Sequence, residues 1–96
     1  MAVIEIATFA LAEGISAEVF APIDRAVEVE HVSKQPGFLS REVASDGKNW
    51  LVIVHWESAE DAQASMDSFA NAPAAAEFMA KMDASTMSMT RYEKID

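Results

Sequence analysis

The chain has 96 residues, 51% of them apolar and 24% charged, a composition that supports one globular domain over 1–96 and excludes a disordered tail. Its net charge of −9 is lopsided, with Glu5, Glu13, Glu18, Asp24, Glu28 and Glu30 set against Arg25 alone before Lys34, so nucleic acid and anionic membranes are not expected partners. There is no cysteine, which removes disulfides, thiolate nucleophiles and thiolate metal sites.

The first ten residues, MAVIEIATFA, lack a basic n-region and carry Glu5 inside the apolar run, so they do not read as a signal peptide, and a cytoplasmic location is expected. Val3 to Ala12 reads as a strand apolar on both faces, with Ile4, Ile6 and Ala10 on one and Val3, Ala7, Phe9 and Leu11 on the other. Such a strand is covered on both sides. Gly14 ends it, and Ser16 followed by Glu18 marks a helix start.

From Ala17 to about Lys34, Phe20, Ile23 and Val27 recur at helical spacing, joined by His31 at the end. Pro22 either opens the regular helix at its first turn or kinks it. Pro36-Gly37 stops it.

Phe38 to Ser45 reads as a second strand and Trp50 to Glu57 as a third, joined by a hairpin signal at Asp46-Gly47. With Asp46 and Gly47 as the two loop residues, Ser45 faces Lys48, Val43 faces Trp50, Arg41 faces Val52 and Leu39 faces Val54. Those residues share a face with Trp56, and Phe38, Ser40, Glu42, Leu51, Ile53 and His55 share the other.

Ser58-x-x-Asp61 resembles a capping box and opens a helix with Ala59, Ala62, Met66 and Phe69 on its apolar side. Asn71-Ala72-Pro73 breaks it, and Pro73 starts a short helix carrying Phe78, Met79 and Met82. Ser85 to Ile95 alternates Met87, Met89 and Arg91 with Thr86, Ser88, Thr90 and Tyr92, which reads as a last strand. The order β-α-β-β-α-β predicts an α+β, ferredoxin-like split βαβ fold, a four-stranded antiparallel sheet with helices on one face. The other face, also apolar in the first and third strands, implies a homodimer that buries it, with a cavity between or beside the sheets.

The run Gln35-Pro36-Gly37-Phe38, the spacing W-x-x-x-x-x-W-E-S from Trp50 to Ser58, then Phe69, Pro73 and the closing Arg91-Tyr92-Glu93, resembles the antibiotic-biosynthesis-monooxygenase-type domain of the dimeric α/β-barrel superfamily. That superfamily includes cofactor-free oxygenases of quinol-type substrates, haem-degrading enzymes and proteins without assigned activity. The resemblance implies that Val3, Glu5, Ala7, Phe9, Val52, Val54 and Trp56 point toward a cavity, and the hairpin register adds Arg41. In the haem-degrading branch the equivalent tryptophan works with an asparagine on the first strand and a histidine on the second helix. Here those positions fall on Ala7 and near Met79, so haem chemistry is disfavoured and no cofactor is expected.

The candidates for chemistry are few. Trp56 is either a cavity wall or an interface residue. His55 has the right intrinsic pKa for a general base, but alternation directs it away from Trp56, toward the helix layer or its edge. His31 makes a helix-dipole contact or faces solvent. Glu5 and Arg41, on an apolar face, need partners: each other, a second subunit, or the polar edge of a ligand. The two histidines have no metal-ligand spacing, and the methionines read as adaptable packing. The leading reading is a small cytoplasmic homodimer that binds a hydrophobic or aromatic metabolite and acts as a cofactor-independent monooxygenase. In it Glu5 or His55 takes a proton and Arg41 or Tyr92 stabilises an oxyanion. The competing reading is a non-enzymatic ligand-binding or dimerisation module.

Overall fold

A computed structural model describes residues 1–95. The elements are β1 (Val3–Leu11), α1 (Ala17–Glu30), a 3-10 turn (Val32–Lys34), β2 (Phe38–Ser45), β3 (Asn49–Trp56), α2 (Ala59–Phe69), α3 (Ala75–Lys81) and β4 (Met82–Glu93). The strands form one antiparallel sheet in the order β2-β3-β1-β4, the ferredoxin-like topology expected from the element order. Among the described residues no helix is long and apolar enough to cross a membrane.

Helix α1 starts where the sequence indicates: the Ser16 Oγ accepts from Val19 N at 3.2 Å and satisfies one orphan donor of the first turn. It neither begins at Pro22 nor stops there. Pro22 lies inside the helix on its exposed side, where a missing N–H costs one rung and the ring meets solvent. The buried side carries Phe20, Ile23, Asp24 and Val27.

The β2–β3 hairpin corrects the expected register by two residues. Ser45 pairs with Trp50, Val43 with Val52 and Arg41 with Val54. The reason lies in the turn: Gly47 has φ +101° and, among the described residues, no non-glycine has positive φ, so Asp46 does not take the left-handed first position that an Asp-Gly loop of the usual mirror type requires. Asp46 N donates to Asn49 O, which makes Gly47 and Lys48 the loop, and the Asp46 carboxylate accepts from Lys48 N and Asn49 N at 3.0 and 2.8 Å. A shift of two preserves alternation, so Arg41 and Val43 still share a face with Trp56. An irregularity between Phe38 and Ser40 then moves Phe38 to that face, where it pairs with Trp56 and meets its ring edge-on at 5.9 Å, while Leu39 is left exposed.

The helices cover the face that bears Val3, Phe9, Trp50, Val52, Val54 and Trp56, all buried in one core with Phe20, Val27, Ala62 and Phe78. The T-shaped contacts of Phe20 with Trp50 (4.9 Å) and of Phe9 with Phe78 (5.6 Å) tie sheet to helices. The opposite face carries Ile4, Ile6, Leu51, Ile53 and His55, each half-buried, and exposed Tyr92. His55 therefore lies on the open side of the sheet and not toward the helix layer, because an alternation of two separates faces without saying which one the helices cover.

Ser58 caps α2 as expected, accepting from Asp61 N at 3.1 Å and donating to Asp61 Oδ2 at 3.0 Å. Asp61 also presses on the β2 start. Gly37 has φ +80°, and a Cβ there would collide with the Asp61 side chain. The short helix begins at Ala75, two residues beyond Pro73, and Met82 opens β4 instead of ending that helix. Between Thr8 and Ala10 the β1–β4 register jumps, and Thr86 fills the gap by accepting from Ala10 N at 2.8 Å and donating to Asp83 O at 2.7 Å.

Candidate functional site

Between the sheet and helices α2 and α3 lies a cavity of about 280 Å³. Its floor is the inward face of the central strands: Ala7 and Phe9 from β1, Val52, Val54 and Trp56 from β3. Phe69 and Phe78 close it from the helices. Its exposed wall residues are Met66 on α2, Ala70 just beyond it, Met79 on α3 and Met87 on β4, which places the mouth between the helices and β4. Four thioethers at or near that mouth, Met89 included, give it an adaptable apolar rim. The volume lies just below the range common for drug-sized ligands, which fits a compact guest.

Four polar side chains meet this apolar shell: Trp56, Arg41, Glu5 and the buried Ser65 of α2. Trp56 is 1% exposed, and its Nε1 has no hydrogen-bond partner among the described residues. A buried indole N–H normally finds an acceptor, so this one is an orphan donor on a side chain that lines the cavity.

Arg41 also lines the cavity, but its guanidinium is already engaged. Nη1 and Nη2 hold Asp24 at 2.7 and 2.8 Å, and Nη1 donates again to Glu28 at 3.0 Å. Asp24 Oδ1 in turn accepts from Trp50 Nε1 at 3.1 Å. Burial alone would lower the Arg41 pKa, but the bonds to Asp24 and Glu28 outweigh it and raise the pKa above the ordinary value.

Glu5 sits at the third position, its Oε2 accepting from Arg91 Nε at 2.9 Å. Arg91 continues from β4 across to α2, where Nη1 donates to Gln63 Oε1 at 2.8 Å. Glu5 and Arg41 thus do not pair with each other; each has found a partner elsewhere in the same subunit.

The cavity brings together Glu5, Ala7, Phe9, Arg41, Val52, Val54 and Trp56. It does not include His55 or Tyr92. Those two flank Ile4 on neighbouring strands of the open face, His55 paired to Ile4 on β3 and Tyr92 paired to it on β4. Sequence reasoning passed over Asp24 and Arg91. Asp24 looked like one more helix-surface acid, and Arg91 stood in a visible stripe with Met87 and Met89 whose facing strand was not visible. His31, read as a dipole contact or a solvent residue, is buried: its Nε2 meets Ser68 Oγ at 2.8 Å, its ring stands edge-on to Phe69, and burial lowers its pKa. Among the described residues no group of three or more His, Cys, Asp and Glu side chains could hold a metal ion.

The sequence profile of a family described as "Antibiotic biosynthesis monooxygenase" matches residues 2–81. Among solved structures, the chain is similar to SnoaB, a cofactor-independent oxygenase from Streptomyces nogalater, with a TM-score of 0.79 at 14% identity over 99% of this chain and 94% of that one. It is similar to PA3566 from Pseudomonas aeruginosa, with a TM-score of 0.70 at 18% identity over 99% and 95%. A protein of unknown function from Nitrosomonas europaea matches with a TM-score of 0.72 at 14% identity over 99% and 90%. At these identities the structural likeness shows the fold. No curated protein matches the sequence.

Proposed function

This chain belongs to the antibiotic biosynthesis monooxygenase family, and from that premise we propose that it is a cytoplasmic homodimer that binds a small hydrophobic or aromatic metabolite and oxygenates it without a cofactor. The observation that carries the reading is an apolar cavity lined by Trp56, whose buried Nε1–H has no partner. An oxygen on the ligand completes that bond and orients an otherwise featureless aromatic body.

The chemistry asked of the protein is modest. An electron-rich aromatic CH2 group loses a proton, the carbanion reacts with O2, and loss of water leaves a carbonyl, so that one CH2 and one O2 give one C=O and one H2O. Glu5 is the carboxylate in the cavity that can take the first proton, with Arg91 holding it in place. Trp56 stabilises the negative charge that develops on the ligand oxygen. Arg41 steadies the floor through Asp24 and does not contact the oxyanion in this scheme. His55 and Tyr92 take no part, since they face the other way. The likeness to SnoaB supports an oxygenase. A haem reading has no support in the donor set, because Ala7 and Met79, both in the cavity wall, offer neither the amide nor the imidazole.

The homodimer rests on Ile4, Ile6, Leu51 and Ile53, a row of apolar side chains on the face without helices. A second reading, a ligand carrier without chemistry, is favoured by the engagement of both charged cavity residues, Glu5 and Arg41, in ion pairs. Oxygen uptake separates the two. On addition of an anthrone, an oxygenase consumes O2 at a rate that Glu5→Gln lowers at least about a hundredfold. A carrier binds the same compound and consumes none.

A further inference from the structure

We propose that the cavity is a charge filter, admitting neutral aromatic ligands and rejecting carboxylates, and that Glu28 is the residue that sets it. This rests on the reading of the cavity as the ligand site.

Two charged side chains line the cavity, Glu5 and Arg41, and each is held by partners outside the lining: Arg91 on Glu5, and Asp24 with Glu28 on Arg41. These five groups together carry one negative charge in excess, within a chain whose net charge is already −9. Arg41 is the cation best placed to receive an acid, since it lines the cavity and its side chain is 3% exposed. Asp24 alone would neutralise it and satisfy Trp50 as well. Glu28 is the surplus partner: it takes the second Nη1 hydrogen at 3.0 Å and turns a neutral pair into an anionic trio. An incoming carboxylate would be stripped of water beside that trio with no free cation to meet it. The donors that remain are the Trp56 N–H and the Ser65 hydroxyl, which serve a neutral carbonyl, amide or hydroxyl oxygen and bring no charge to hold an anion.

The test uses two probes of one shape and different charge, 2-naphthamide and 2-naphthoate, titrated calorimetrically into the wild-type protein and into Glu28→Gln. Glutamine keeps an oxygen for Arg41 at a half-buried position, and circular dichroism confirms the fold. Wild type prefers the amide by at least about tenfold, the scale of one uncompensated charge a few ångströms away in a partly screened site. Glu28→Gln narrows that ratio to about threefold by strengthening naphthoate binding, with the amide little changed. Equal binding of the two probes to wild type overturns the filter while leaving the cavity a ligand site. An amide preference that Glu28→Gln leaves unchanged reflects the ligands' own hydration and overturns the role of Glu28. Binding of neither probe overturns the site and the filter together.

Discussion

Arg41 on β2 and Asp24 on α1 form a two-pronged ion pair at 2.7 and 2.8 Å, each side chain almost wholly buried, with the Trp50 indole closing on the same carboxylate at 3.1 Å. An edge strand is thereby bolted to the helix that packs over it. The cost of desolvating both charges makes the pair a poor source of net stability, but breaking it leaves a buried guanidinium with only the part-exposed Glu28 to balance it. Asp24→Asn therefore lowers the unfolding free energy by about 2–3 kcal/mol in urea denaturation, less than a wholly uncompensated buried charge would cost. Replacing Arg41 and Asp24 together by methionine and leucine costs less than the single change.

Gly37 is the second rigid point. Its φ of +80° and the Asp61 side chain standing where a Cβ would go leave room for no other residue. Gly37→Ala destabilises by about 2 kcal/mol or more, read as a lower denaturation midpoint. Asp61→Ala in the same chain recovers the part due to collision, less what the lost Ser58 hydroxyl bond to the Asp61 carboxylate costs.

His31 gives the fold a pH dependence of known sign. The Ser68 hydroxyl donates to Ser65 O, so it accepts from His31 Nε2, and Nδ1 remains buried without a partner. The neutral ring is favoured, and burial holds the folded pKa below the ordinary 6.5. The unfolded chain then binds the proton more readily. Stability is level above that pH and falls as pH drops through 6.5 toward the folded value. His31→Asn removes the slope in this interval, measured as thermal midpoint against pH.

The open sheet face predicts assembly. Ile6 and Ile53 are paired neighbours at its centre. Wild type sediments at twice its 10.4 kDa chain mass, and Ile53→Glu sediments at the chain mass. Sedimentation of both proteins at the chain mass removes the dimer from the account.

The sequence carried the fold because its signals are local: alternation in β1 and β3, a serine cap before each long helix, Pro-Gly and Asp-Gly breaks, and a recognisable W-E-S segment. The partition of strand residues into two faces followed from the same alternation, which is why Ala7, Phe9, Val52, Val54 and Trp56 stand together. Which face the helices cover was not readable, and that displaced His55 and left Tyr92 unplaced. Turn chemistry was misjudged at one residue, since Asp46 serves as a side-chain acceptor and leaves the left-handed position to Gly47. The partners of Glu5 and Arg41 lay beyond reach for a different reason. Arg91 is 86 residues from Glu5 and Asp24 is 17 from Arg41, so both pairings depend on packing that no local pattern records.

In the proposed complex the ligand enters between the sheet and the helices and takes a hydrogen bond from the Trp56 indole. The chain has two tryptophans, so an amide-labelled sample shows two indole N–H resonances, one from Trp50 bonded to Asp24 and one from Trp56 without a partner. Titration with 2-naphthamide tests the claim directly. The account predicts that the Trp56 indole signal moves downfield as it gains an acceptor while the Trp50 signal stays in place. Movement confined to Ile4, Ile53 and Tyr92 on the open face, with the Trp56 signal unmoved at saturation, would contradict it.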